Sequence, residues 1–349
     1  MLKRIFDRFR CDLAVDLGTA NTLIGVADEG LVLDEPSLVA VQQRTNRVLS
    51  GGCAVGHLAR QMWGRTPDSI SVVRPLSHGA ITDFELCEAM LRYFLRKAQR
   101  PGLRLRPRVL VTVPGCITPV ERRAVFNSFE RAGARQVLLI DQAMAAAVGA
   151  GLPLAEPVAS MVCDVGGGTT EVAVLSLADV VASRSIHTGG DRMDQALTDY
   201  LRRRYSLRIG LGAAEQLRIR AGSAYPLEEE LTEEIRGVDT TSGLPRRASI
   251  TSEEIRQALG DCLEEILDAV RATLDECPAE LAAELLDRGL VLCGGGALLR
   301  GMDRFLAERT GLPVRVAPQP LTTVARGALV CLEHLAQWRP ILQSRDDDV

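Results

Sequence analysis

Apolar positions along this chain fall into two alternating patterns. Short continuous runs, Leu13-Ala14-Val15, Thr22 to Val26, Arg108 to Val113 and Val137 to Ile140, read as buried strands. Between them lie segments with helical spacing. Thr118, Pro119 and Glu121 supply an N-cap, a first-turn proline and the partner of a capping box, and Thr251 with Glu254 repeats the device. The second box leads a long amphipathic helix with Ile255, Leu259, Cys262, Leu263, Ile266, Leu267 and Val270 on one face. Strands alternating with helices predict an α/β fold. The polar stretch from Glu228 to Arg247, with Gly237, Gly243 and Pro245, reads as a loop-rich excursion.

The pattern also repeats. Asp16-Leu17-Gly18-Thr19 sits between apolar runs, and about half a chain later Asp164-Val165-Gly166-Gly167-Gly168-Thr169 sits between Met161-Val162-Cys163 and Val172 to Leu175. Two copies of strand, Asp-x-Gly turn and strand predict two similar domains with a ligand cleft between them. Glycine lets each turn bring backbone N–H groups close to an anion, and Thr19, Asn21 and Thr169 add side-chain donors. Asp16 and Asp164 cannot bind phosphate directly, which calls for Mg²⁺ and its waters between them and a nucleotide. Either turn alone is also compatible with an ordinary hairpin; the matched pair favours the β- and γ-phosphates of ATP. A third cluster, Gly294-Gly295-Gly296-Ala297-Leu298, follows the run Gly289 to Leu292. It suits a ribose or α-phosphate, or a closely packed strand–helix corner.

Composition narrows the classes. The chain has 349 residues, 46% of them hydrophobic and 25% charged, enough for a large core in two domains. A net charge of −4 without basic blocks argues against nucleic acid. Nine scattered cysteines, none in a C-x-x-C pair, and four histidines argue against structural zinc and for buried reduced thiols in a cytoplasmic protein. No P-loop, no G-x-G-x-x-G fingerprint and no G-x-S-x-G elbow occurs.

Taken together, Asp16 to Thr22, Asp34-Glu35-Pro36-Ser37, Glu88 to Phe94, Asp164 to Val174, Gly189-Gly190-Asp191, Gly222 to Leu227, Gly294 to Gly301 and Val324 to Gly327 resemble the MreB family of bacterial actins, over about residues 11 to 335. The resemblance implies the actin-like ATPase fold, with ATP and Mg²⁺ as ligands and Gly18, Thr19, Ala20 and Asn21 in the first phosphate loop. Gly166, Gly167, Gly168 and Thr169 would form the second phosphate loop, and Gly294 to Leu298 the adenosine loop. It implies Glu215, Gln216, Leu217 and Arg218 beside adenine, and domain I as residues 11–145 and 316–349 (smaller subdomain about 33–74). Domain II would be 146–315 (smaller subdomain about 182–245), with a connecting helix through Met144 to Ala147.

The same resemblance implies head-to-tail polymerisation into paired filaments, the inner membrane as a surface, and membrane proteins of the wall-elongation machinery as partners. The family usually carries Glu-Glu-Pro ahead of the connecting helix, its second Glu orienting the attacking water; here the segment is Asp141-Gln142-Ala143. Glutamine positions water but is a negligible base. Actin has glutamine followed by alanine there and hydrolyses ATP, so slow hydrolysis is expected, with Thr169 as the companion polar group. Arg218 stands where the family tends to have lysine.

Residues 1–10 place Leu2, Ile5, Phe6 and Phe9 on one helical face, with Lys3, Arg4, Arg8 and Arg10 elsewhere. This is similar to the amphipathic anchor of some family members; the alternative is a solvated tail. Each apolar side chain would contribute at most ~1.5–3 kcal/mol and each basic residue roughly 1 kcal/mol, so binding by one copy is weak and a filament multiplies it. Leu103 and Leu105, around Arg104, add little. Two other classes share such a cleft: chaperone-type ATPases, which normally carry a further peptide-binding domain, and small-molecule kinases, which need an Asp base that this sequence does not identify.

Overall fold

The computed structural model describes residues 12–99 and 106–345. Two compact units make up this range. The first takes residues up to Glu156, Leu177–Val180 and everything from Thr322; the second takes Pro157–Ser176 and Val181–Leu321. Among the described residues, no helix is long and apolar enough to cross a membrane.

The first unit is built on a six-stranded mixed sheet in the order Gln343–Ser344, Gln136–Asp141, Arg108–Val113, Leu13–Leu17, Asn21–Val26, Gly30–Pro36. Its inner strands read as continuous apolar runs because both faces are covered, and Leu13, Val15, Ile24, Val109 and Val111 are wholly or almost wholly buried. One face meets Phe94, Phe126 and Phe129 from the helices Phe84–Ala98 and Pro119–Ala132. The latter begins with the expected Thr118–Glu121 capping box and ends on Gly133 in the left-handed conformation (φ 117°). A separate small sheet in the order Arg47–Val48, Val39–Gln42, Ile70–Val73 follows the strand Gly30–Pro36 in the chain.

The helices Gln142–Gly149 and Thr323–Glu333, both in this unit, pack backbone to backbone. A Cβ at Gly327 would lie 1.7 Å from the carbonyl oxygen of Ala145, and one at Gly149 would lie 1.9 Å from that of Thr323. Only glycine permits an approach this close.

The second unit repeats the plan with a five-stranded sheet in the order Asp179–Ile186, Thr170–Ser176, Ser160–Val165, Leu290–Cys293, Val314–Val316. The helix Ser252–Asp275 starts at the Thr251–Glu254 capping box and buries the predicted stripe Ile255, Leu259, Cys262, Leu263, Ile266, Leu267 and Val270. Met161, Cys163, Val172 and Val174 of the sheet belong to the same core.

Glu228 to Arg247 differs from expectation. Most of it belongs to an antiparallel hairpin, Thr232–Asp239 with Pro245–Thr251, and Leu207–Arg208 pairs alongside. Ile235 and Ile250 are buried while most of their neighbours are exposed. A strand pair covered at so few positions carries the composition of a loop, without the apolar alternation that marks a half-buried strand. Asp239 builds the turn by accepting the N–H groups of Thr241 and Ser242 at 3.0 and 2.9 Å.

Candidate functional site

In the first unit the turn after Asp16 is closed by antiparallel pairing of Leu17 with Thr22. A Cβ at Gly18 would stand 2.6 Å from the carbonyl oxygen of Asn21, so the turn is as tight as the sequence implies. Ser37 holds it from beneath. Its hydroxyl donates to the Gly18 carbonyl at 2.7 Å and its N–H donates to the Ala20 carbonyl at 2.9 Å. With its hydrogen so used, Ser37 accepts from the hydroxyl of Thr22 at 2.9 Å. Two carbonyl dipoles that would repel an anion are thereby tied down. Thr19 is buried, and its oxygen accepts the N–H of Gly79 at 3.1 Å, leaving its own proton to donate. Gly79 and His78 form the left-handed pair (φ 77° and 51°) of a tight hairpin turn. The carboxylate of Asp16 accepts from the buried hydroxyl of Thr112, its neighbour on the parallel strand, at 2.8 Å.

In the same unit Asp141 ends the strand Gln136–Asp141 and caps the helix Gln142–Gly149. Its Oδ1 accepts the N–H of Ala143 at 2.8 Å and that of Met144 at 3.4 Å. Burial pushes its carboxyl above the usual range, against those two backbone bonds. Gln142 is the first helical residue and is half-buried.

The second unit brings two of the three glycine clusters together. Gly166 closes its turn by donating to the Thr169 carbonyl at 2.8 Å. The carbonyls of Gly166 and Gly167 then accept from Gly190 and Asp191, at 3.0 and 2.8 Å, at the start of the helix Gly190–Tyr205. The orphan N–H groups of a helix N-terminus thus consume the carbonyls of this glycine turn. Gly189 is required for this approach, since a Cβ there would meet the Gly166 and Gly167 oxygens at 2.7 and 2.8 Å. Thr169 is buried and so is Asp164.

Asp164 pairs with Cys293 across parallel strands, which delivers the third cluster directly to the second. Gly294 (φ 78°) lies so near that a Cβ would be 2.4 Å from Oδ1 of Asp164, and one at Gly296 would strike the Val165 side chain at 2.2 Å. Gly295 to Leu298 form a short 3₁₀ turn in which Ala297 is buried and Leu298 exposed.

The helix Leu211–Ala221 carries the residues expected beside adenine. Glu215 is half-buried and Gln216 exposed, whereas Leu217 turns into the apolar core. Arg218 is engaged by Asp194, and burial holds the Asp194 carboxyl above its usual range against that cation. Sequence reading gave no role to Ser37, Thr112 or Asp194, whose contacts join separate strands and helices, nor to Asp141, which caps its own helix. Ser37 and Asp141 had a signal, as members of the Asp34 to Ser37 motif and of the segment Asp141-Gln142-Ala143.

Of the eight cysteines described, all free, Cys53 and Cys116 are exposed rather than buried as expected, while burial pushes the Cys87 and Cys331 thiols up to about 12. The proposed anchor residues Leu2, Ile5, Phe6 and Phe9, and Leu103 to Leu105, lie outside the described residues.

A sequence profile of the MreB/Mbl protein family matches residues 10–340. The chain belongs to that family. It is 51% identical over 336 residues to the cell shape-determining protein MreB of Escherichia coli K12, covering 96% of this chain and 97% of that one. The crystal structure of MreB 5 of Spiroplasma citri bound to AMPPNP superposes with a TM-score of 0.89 at 34% identity, over 95% of this chain and 98% of that one. The MamK double helical filament gives 0.77 at 20% identity, over 94% and 99%, and extends the likeness to the actin-like fold. The strand–turn–strand repeats of the two units are therefore the MreB/Mbl version of that fold.

Proposed function

We propose that this chain is a shape-determining, actin-like filament protein that binds ATP with Mg²⁺, hydrolyses it slowly, and works at the inner face of the cytoplasmic membrane. One observation carries the nucleotide reading. The carbonyls of Gly166 and Gly167 are drawn to the helix start at Gly190 and Asp191, beside a buried acid, Asp164, in contact with Gly294. Such a turn suits a phosphate, and relatives support the class, since the Spiroplasma citri protein was crystallised with AMPPNP.

Asp16 and Asp164 are hard oxygen donors that fit Mg²⁺ through its waters, and the ion would neutralise phosphate charge. Gln142 would orient the attacking water through its amide and Thr169 would hold the γ-phosphate or that water. Neither removes a proton efficiently, which makes the reaction slow. Assembly would follow nucleotide binding, turnover would follow hydrolysis, and residues 1–10 would anchor the polymer, whose repeated contacts make weak single sites sufficient. Partners would be further copies of the chain and membrane proteins of the wall-elongation machinery.

Co-pelleting with anionic liposomes, with and without ATP and Mg²⁺, followed by electron microscopy, tests these points together. Paired filaments on vesicles that require nucleotide are expected. Nucleotide binding without filaments under any condition would replace the polymer reading with a chaperone-like or kinase-like ATPase. Asp164→Ala should abolish Mg-nucleotide-dependent assembly, and normal assembly by that variant would overturn the site. Removal of residues 1–10 should release filaments from vesicles without impairing assembly; retained vesicle binding would place the anchor elsewhere.

A further inference from the structure

We propose that Asp141 is a positioning residue for ATP hydrolysis, setting the direction of the Gln142 side chain by fixing the first turn of the helix Gln142–Gly149. The inference rests on the reading of Gln142 as the residue that orients water. Gln142 is the first helical residue, and it follows a strand directly, with no loop to buffer its orientation. The remainder of the helix is held rigidly. Ala143 to Ala147 are buried, and Gly149 meets the backbone of Thr323 while Gly327 meets that of Ala145. The first turn is the part whose geometry depends on a side chain, because the N–H groups there have no intrahelical partner.

Asp141 supplies that partner. Its Oδ1 takes the N–H groups of Ala143 and Met144, so the two peptide planes that follow Gln142 are referenced to one carboxylate oxygen. The other oxygen is walled in by Gly115, where an added Cβ would stand 2.6 Å from Oδ2. Gly115 lies two residues beyond Val113, the residue that pairs with Asp141 across parallel strands. The carboxylate is pinned between its own helix and the neighbouring loop, and the rotamer of the cap is set by the sheet. Asparagine has the same shape and keeps an acceptor oxygen, so the role requires the acceptor and not the charge.

The test uses the full chain, below its assembly concentration, with ATP and Mg²⁺. Single-turnover hydrolysis and nucleotide affinity are measured side by side. Gln142→Ala should slow hydrolysis tenfold or more, roughly the contribution of a positioned water-orienting group. Asp141→Ala should slow it about 5- to 10-fold while affinity stays within about twofold, and Asp141→Asn should stay close to the parent.

An unchanged rate in Asp141→Ala alongside a slow Gln142→Ala would overturn the positioning role alone. An unchanged rate in Gln142→Ala would overturn the underlying reading of Gln142. Asparagine as slow as alanine, or affinity lost in step with rate, would also overturn the proposal. Should Asp141→Ala fail to fold, Gly115→Ala, which crowds Oδ2, must slow hydrolysis with affinity kept; a parental rate there overturns it equally.

Discussion

The guanidinium of Arg218 and the carboxylate of Asp194 meet at two points, Nε to Oδ1 at 2.7 Å and Nη2 to Oδ2 at 3.3 Å, with 13% and 7% of the two side chains exposed. The pair ties the helix Leu211–Ala221 to the helix Gly190–Tyr205, whose first residues hold the turn at Gly166 and Gly167. Asp194→Ala would leave a largely buried cation without its carboxylate and should destabilise the second unit by about 3–5 kcal/mol. Arg218→Lys keeps the charge but not the fork, and should cost less. Urea unfolding of the three proteins checks the order. Equal midpoints would mean that the pair contributes no net stability.

Gly327 offers a sharper steric test. Because an alanine methyl there would overlap the Ala145 carbonyl, either the helix Thr323–Glu333 or its neighbour must move. Backbone cannot give way as a flexible side chain does, so Gly327→Ala should cost at least about 3 kcal/mol, a fall in melting temperature of ~6–12 °C for a unit of this size. Calorimetry of the variant gives the answer directly.

Ser37 underlies the turn at Gly18. Ser37→Ala removes the donor to the Gly18 carbonyl and the acceptor of the Thr22 hydroxyl, both in a site where Ser37 and Thr22 are fully buried. A stability loss of about 1–3 kcal/mol is expected, with weaker nucleotide binding because the turn is no longer held in one shape. Nucleotide titration beside a thermal melt separates the two effects. Stability loss without any change in affinity would place Ser37 in the fold alone.

Acid should weaken the second unit at a known place. The Arg256 guanidinium beside Glu230, helped by the Ser252 hydroxyl and the Leu227 N–H, holds the Glu230 carboxyl down to about 2 from an ordinary 4.5. A carboxyl lowered by folding contributes stability above its unfolded value, and that contribution is lost as the pH falls through the folded one. Glu230→Gln should therefore be less stable than the parent by the same margin at pH 7 and pH 5, with the gap closing from about 4.5 toward 2. A gap independent of pH would assign the effect to packing.

Much of this molecule was legible in one dimension because its signals are local. Continuous apolar runs specify strands buried on both faces, and 3.6-residue periodicity specifies the stripe of the helix Ser252–Asp275. A capping box is complete within four residues, so both boxes form as read. The repeated Asp-x-Gly turns were visible for the same reason. The Glu228 to Arg247 hairpin was not, since its strands have few buried positions and find their register only against each other.

By itself, then, the sequence determined the α/β class, the strand–turn–strand repeats and the family, all of which depend on neighbours along the chain. Tertiary structure alone decided what supports each loop: Ser37 under Gly18, Thr112 against Asp16, the helix start at Gly190 behind Gly166 and Gly167, and Asp194 on Arg218. It also turned Leu217 into the core and left Glu215 and Gln216 accessible. Hydrogen bonds and ion pairs between segments 19 to 96 residues apart carry no periodic mark, because geometry selects their partners only after the sheets have formed.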